Sequence, residues 1–282
     1  MRIRKAAVAG SWYPASGSAL AAAVDRHLAN AEHAARDVAG DLVALIAPHA
    51  GLMYSGPVAA HAYRLLRNRT FDVAVLVGPS HFVGFNGVAV YPSGGFETPY
   101  GVASIDEELA AALMEATPIV REHAAAHARE HSLEMQLPFL FRLVPSLRIV
   151  PLVMGYQTPD TAFGLGDALA TALRGRTALV IASTDLSHYH DAATAARLDG
   201  AVIECVEQFD ADALQTALNR NHEHACGGGP TVAVMRAARL AGARDAVVLN
   251  YADSGDVSGD KSAVVGYLAA ALGNFAHPER SH

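Results

Sequence analysis

Cysteine is scarce in this chain: two thiols, Cys205 and Cys226, in 282 residues. That excludes a disulfide scaffold. A single bridge between them is compatible with the sequence, and free thiols in a reducing cytoplasm are the expectation. Long apolar runs are also missing, since none approaches the roughly 18 residues that a membrane-spanning helix needs. Arg2, Arg4 and Lys5 give the N-terminus the charged start of a signal peptide, but the apolar stretch stops at Gly10, Ser11 and Trp12. Clusters of Lys or Arg are absent and the net charge is -7, so no surface is expected to neutralise nucleic-acid phosphates. The glycines at 227 to 229 lack the Lys and Ser/Thr that complete a phosphate loop. These absences leave the expectation of a cytoplasmic, soluble protein with no membrane or nucleic-acid partner.

What is present is apolar material for a large core, 51% of the residues. The expectation is a single α/β domain over residues 1–282, with a mostly parallel central sheet flanked by helices. Short β-branched or apolar runs read as buried strands at Leu42–Ala47, Val73–Val77, Arg148–Val153, Ala178–Ala182, Ala246–Asn250 and Ala263–Tyr267. Val88–Tyr91, followed by Pro92, reads as an edge strand or hairpin. Helical patterns fall between them, at Ala19–Ala35, Pro57–Leu66, Asp106–Glu115, Leu133–Leu143, Thr161–Leu173, Ala192–Gln208 and Thr231–Leu240.

Three of the strands end in polar, chemistry-bearing residues. Leu45-Ile46-Ala47 runs into Pro48-His49-Ala50-Gly51, Leu76-Val77-Gly78 into Pro79-Ser80-His81, and Val180-Ile181-Ala182 into Ser183-Thr184-Asp185-Leu186-Ser187-His188. Ligands of open α/β sheets bind outside the carboxyl ends of the strands. If the three strands are parallel, two histidines and an Asp/His pair converge on one rim. Cys226 precedes a helical run with Pro230 in its first turn, where the missing N–H costs nothing. The helix dipole is expected to lower its thiol pKa and favour the thiolate.

Cys205 reads as helix packing. His123, His127 and His131 recur every four residues. For the first two a solvated helix is the expectation. His131 opens Glu130-His131-Ser132-Leu133-Glu134, where Ser132 reads as a helix cap and His131 and Glu134 as cap neighbours or partners of the site. Tyr54 reads equally as core or pocket. His222, His224, His277 and His282 carry no usable pattern, and the tail from Pro278 reads as frayed.

On these segments the chain resembles the Memo family. The matching pieces are Gly10-Ser11-Trp12-Tyr13, Ala47-Pro48-His49-Ala50-Gly51, Gly78-Pro79-Ser80-His81, Glu130-His131-Ser132-Leu133-Glu134-Met135, Ser183-Thr184-Asp185, Cys226-Gly227 and Asn250-Tyr251-Ala252. The family resembles in fold the class III extradiol dioxygenases, non-haem iron enzymes that cleave catechols. The resemblance implies that His49, His81 and Cys226 occupy metal-binding positions, with Asp185 and His188 as catalytic neighbours. In the dioxygenases the third ligand is a carboxylate, and Cys226 stands where it would act here, a departure that puts ring cleavage in doubt while leaving a dioxygenase-like oxidoreductase as the expectation.

Two imidazoles and a sulfur suit iron, copper or zinc better than magnesium or calcium. The leading expectation is an iron- or copper-dependent oxidoreductase acting on a small molecule, with His188 moving a proton and Asp185 fixing its tautomer or binding substrate. The alternatives are a zinc-dependent hydrolase with His188 as base, and a non-enzymatic protein that uses the pocket to bind a peptide or small molecule. A protein partner is left open.

Overall fold

The computed structural model describes residues 2–33 and 38–276. The strands are β1 (Ile3–Arg4), β2 (Gly40–Ala47), β3 (Val73–Pro79), β4 (Val88–Val90), β5 (Gly95–Thr98), β6 (Gly101–Ser104), β7 (Val120–Glu122), β8 (Arg148–Met154), β9 (Ala178–Ser183), β10 (Asp185–His190), β11 (Asp245–Asp253) and β12 (Val264–Phe275). The helices are α1 (Gly17–His33), α2 (Leu52–Tyr63), α3 (Glu107–Ala116), α4 (Ala124–Ala128), α5 (Leu137–Leu143), α6 (Pro159–Ala172), α7 (Ala192–Glu207), α8 (Ala211–Arg220), α9 (Gly228–Leu240) and α10 (Gly255–Ser258). The last two residues of the expected first helix, His277, His282 and the tail from Pro278 lie outside the described residues.

β2, β9, β3 and β8 lie side by side and parallel. Their residues are buried on both faces, as Ala44 to Ala47 and Val73 to Val77 show, so alternation is lost and the runs read as continuous apolar stretches. α9 lies on β9, β3 and β2 and packs on α6, while α2 lies on β12, β11 and β2 and packs on α1.

The sheet is mixed rather than mostly parallel. β12 runs antiparallel to β2, β10 and β11, and β4 runs antiparallel to β8. The twelve residues of β12 continue well past the expected end at Tyr267. β4 is no edge either, because β7 pairs with its far side. A second sheet holds β1, β5 and β6.

The placement of β10 matters most. β12 pairs with β2 through Ala270–Phe275 and with β10 through Val264–Tyr267, while β11 runs along Gly266–Gly273. β12 therefore reaches past the carboxyl end of β2 and carries β10 there. The segment from Asp185 to His188, expected as a loop after a strand, is itself a strand. Asp185 faces Tyr267 and His188 faces Val265, three residues against two, so a bulge intervenes. That extra residue turns Asp185 and His188 to the same side, which plain alternation would forbid. Tyr189, next in line, is left-handed at φ 63°. No helix among the described residues is long and apolar enough to cross a membrane.

Candidate metal centre

The three strands that carry the polar tails are neighbours in the order β2, β9, β3. Their tails therefore meet, as the parallel arrangement requires. One donor atom each from His49, His81 and Cys226 lies within 4.8 Å of the other two. Cys226 Sγ is 3.3 Å from His49 Nε2, and the two imidazoles meet edge to face at 5.2 Å. A tetrahedral metal, at about 2.3 Å from sulfur and about 2.0 Å from nitrogen, would hold such donors about 3.5 Å apart. The residues fit a metal in both chemistry and spacing.

Hydrogen bonding fixes which nitrogens are bare. Ser183 Oγ donates its one proton to Ser132 O at 2.6 Å and accepts from Gln136 Nε2 at 2.7 Å. Its contact with His49 Nδ1 at 2.9 Å must then be an N–H donated by the ring. His49 Nε2 is left as a lone pair facing the sulfur. His81 Nδ1 bonds the Glu130 carboxylate at 2.9 Å, so its Nε2 is also free. Outer partners of this kind orient metal-binding histidines.

Close backbone approach builds the walls. A Cβ on Gly227 would lie 2.3 Å from Ser183 O, so only glycine lets the Cys226 loop sit on the β9–β10 junction. Cys226 N–H donates to Asp185 O at 3.2 Å, and Asp185 N–H points at Sγ from 3.4 Å. A Cβ on Gly78 would meet Ser132 and Leu133 at 2.8 Å, which is where the 130–134 segment packs on β3.

That segment supplies residues the sequence only hinted at. His131 stacks on His81 at 4.4 Å, lies 5.7 Å from His49 and meets Trp12 at 4.3 Å. Glu130 accepts from His81 N, His131 N and Ser132 N as well as from the His81 ring. Ser132 caps nothing, because its hydroxyl goes to Pro79 O. Glu134 faces away and ties down the N-terminal segment, accepting from Arg4, Ala7 N, Val8 N and Tyr13 Oη. Tyr54 packs on the core. His127 is not solvated: it is 1% exposed and its Nε2 bonds Ala89 O. His123 caps the five-residue α4 through Nδ1, and α4 ends before His131 can share its face. Both cysteines are free, and Cys205 packs on the core.

Burial drives His49 well below its ordinary pKa, with His81 and His131 adding repulsion, and burial pushes His131 down to about 4. Both rings are neutral at pH 7, the form that binds metal. Burial also opposes ionisation of Glu130, but the His81 ring and the backbone N–H groups outweigh it and hold the carboxyl at about 2. The Cys226 thiol goes the other way from the helix-dipole expectation. Burial and the nearby Asp185 push it up, because an anion in that pocket lacks a cation. A bound metal ion reverses that balance.

Asp185 accepts from His49 N at 2.7 Å and from Ala50 N, so among the described residues its carboxylate braces the His49 turn. The His188 ring bonds the backbone of Leu186. Burial raises the Asp185 carboxyl to about 7, only partly offset by those N–H groups and His81. A raised carboxyl stabilises the fold fully below its unfolded value of 3.8, and that contribution is lost as pH rises through about 7. In metal-stripped protein, wild type should therefore lose on the order of a few kcal/mol relative to Asp185→Asn between about pH 4 and about pH 8. Urea unfolding at both pH values checks this, and parallel profiles would refute it.

Glu130→Gln places an amide against N–H donors and removes the carboxylate from His81. Metal affinity is expected to fall about 10–100-fold with the fold intact, read by chelator competition. Unchanged affinity would show that the carboxylate does not orient His81.

An α/β sheet whose carboxyl rim gathers two imidazoles and a thiol defines the class: an α/β protein with a candidate metal centre at its strand ends. The chain belongs to the Memo family, whose model, described as Memo-like protein, matches residues 4–271. A MEMO1 family protein of Methanothermobacter thermautotrophicus is 39% identical over 272 residues, covering 94% of this chain and 98% of that protein. One from Nitrosopumilus maritimus is 32% identical over 270 residues, covering 95% and 98%. The crystal structure of an uncharacterized protein from Escherichia coli K12 shares the fold, with a TM-score of 0.53, 18% identity, and coverage of 81% of this chain and 99% of that one.

Proposed function

We propose that this protein is an oxidoreductase of a small molecule that uses iron or copper held by His49, His81 and Cys226. The observation that carries the reading is the gathering of one donor atom each from His49, His81 and Cys226 within 4.8 Å of one another, with both Nδ1 atoms held by outer partners and His49 Nε2 3.3 Å from the sulfur. Two imidazoles and a sulfur are borderline to soft donors, and three protein ligands leave a position open. Iron or copper bound there would supply electron transfer and Lewis acidity.

The chain's own groups handle protons. His188 is kept neutral by burial and is available to accept a proton. Asp185, whose carboxyl burial raises to about 7, can give or take a proton near neutral pH. Trp12 and Phe82 flank His131.

The test is anaerobic loading with Fe(II), Cu and Zn, followed by metal analysis and O₂ uptake with a reductant. One equivalent of iron or copper and redox turnover are expected, with turnover lost and metal retained in His188→Ala. Protein that holds neither iron nor copper after loading rejects the reading. The Asp185 carboxyl at about 7 favours zinc-assisted hydrolysis as the second reading. Tight zinc binding without any redox turnover selects it.

A further inference from the structure

Asn250-Tyr251-Ala252, one of the segments that carry the family resemblance, takes no part in the metal-donor set. Tyr251 lies on β11, and its hydroxyl donates to Asp199 Oδ2 at 2.8 Å. Asp199 comes from α7, which packs on β10, β11 and β12. It is fully buried. Its other oxygen, Oδ1, accepts from Ser187 N at 2.9 Å.

These bonds cross three strands. Tyr267 of β12 faces Asp185 of β10 and Ala252 of β11, so β12 runs between the two. Gly266 lies against the carboxylate, where a Cβ would come within 2.0 Å of Asp199 Oδ2. The carboxylate thus spans β12, with Tyr251 on one side and Ser187 on the other. Ser187 stands inside the bulge between Asp185 and His188. Holding its N–H fixes the extra residue, and with it the side to which His188 turns.

A carboxylate is more than this frame needs. Asparagine could accept from Ser187 N and donate to the Tyr251 hydroxyl without burying a charge. Burial raises the Asp199 carboxyl, against the hydrogen bonds of Ser187 and Tyr251 and the charge of His188. What the carboxylate adds over an amide is a negative charge that acts on the His188 ring. Burial lowers that ring, the Leu186 backbone and Asp199 raise it, and His81, from the turn after β3, lowers it. Glu223, on the α8–α9 connection, faces His190 instead, at 3.7 Å.

We infer that Asp199 is a positioning residue for His188: held by Tyr251, it fixes the β10 bulge through Ser187 and supplies the negative charge that favours a protonated His188 ring. The inference deepens the oxidoreductase reading and rests on it for the reaction in which His188 takes a proton.

The test is an NMR titration of the His188 ring in metal-free full-length protein, with the ring signals assigned by their absence from His188→Gln. Asp199→Asn keeps the shape and removes the charge. Its His188 pKa is expected about 1 pH unit below that of wild type, with the melting temperature kept or raised. A carboxylate that only braced the strands would leave the His188 pKa unchanged, and that result would overturn the inference. Coupling between two sites is reciprocal, so His188→Gln should raise the Asp199 carboxyl pKa by a similar amount. An unchanged carboxyl overturns the inference even if the asparagine variant folds poorly. Asp199→Ala should speed hydrogen exchange at the Ser187 amide, and equal protection there would overturn the hold on the bulge. After loading with iron or copper, Asp199→Asn should keep its metal and lose turnover several-fold, whereas full turnover in that variant overturns the positioning role. A wild type without turnover rejects the oxidoreductase reading alone, because the metal-free titrations stand without it.

Discussion

Cys226→Ser is expected to lower metal affinity by more than about 100-fold while the protein stays folded. Loss of an outer partner alone costs about 10–100-fold, and this substitution removes a donor. The serine hydroxyl does not ionise near neutral pH and is a hard, weak ligand for iron, copper or zinc. The fold should survive because the side chain's neighbours are His49 Nε2 and the Asp185 backbone, which a hydroxyl can also engage. Chelator competition on wild type and variant reads the difference. An affinity within a few-fold of wild type would remove the sulfur from the donor set.

The second large effect lies away from the donors. Glu134 is fully buried and pairs with the buried guanidinium of Arg4. It also accepts from Ala7 N at 2.8 Å, Val8 N at 3.0 Å and Tyr13 Oη at 2.6 Å. One carboxylate thus fastens residues 4–13 to the segment that carries His131. Glu134→Ala leaves Arg4 buried without an anion, and breaking such a pair costs about 3–5 kcal/mol. Trp12 is the single tryptophan, so its fluorescence reports this segment directly. A lower melting temperature and red-shifted emission are expected, with Glu134→Gln less severe because it keeps an acceptor. Unchanged emission and stability would mean the segment is held by other contacts.

Part of the candidate site was legible because parallel strands put their carboxyl ends on one rim, and three apolar runs each ended in polar residues, whereas Cys226, ahead of α9, was pointed to by the family resemblance. His49, His81 and Asp185 are brought together by that rule alone. The shape of the sheet was less legible. Asp185 to His190 is too polar to read as a strand, and it becomes one because β12 overshoots β2 and offers a free edge. Glu130 and His131 reach the site on a segment without regular periodicity, so no pattern placed them beside His81. His127 looked solvated because its neighbours are Ala and charged residues, yet Ala89 O gives its ring a buried partner. Without a bound cation the Cys226 thiol is raised rather than lowered, because burial and the neighbouring Asp185 oppose the thiolate.

X-ray absorption on copper- or zinc-loaded wild type tests the central claim most directly. The expected first shell has one sulfur at about 2.3 Å and two imidazole nitrogens at about 2.0 Å. A shell of nitrogen and oxygen alone would contradict it.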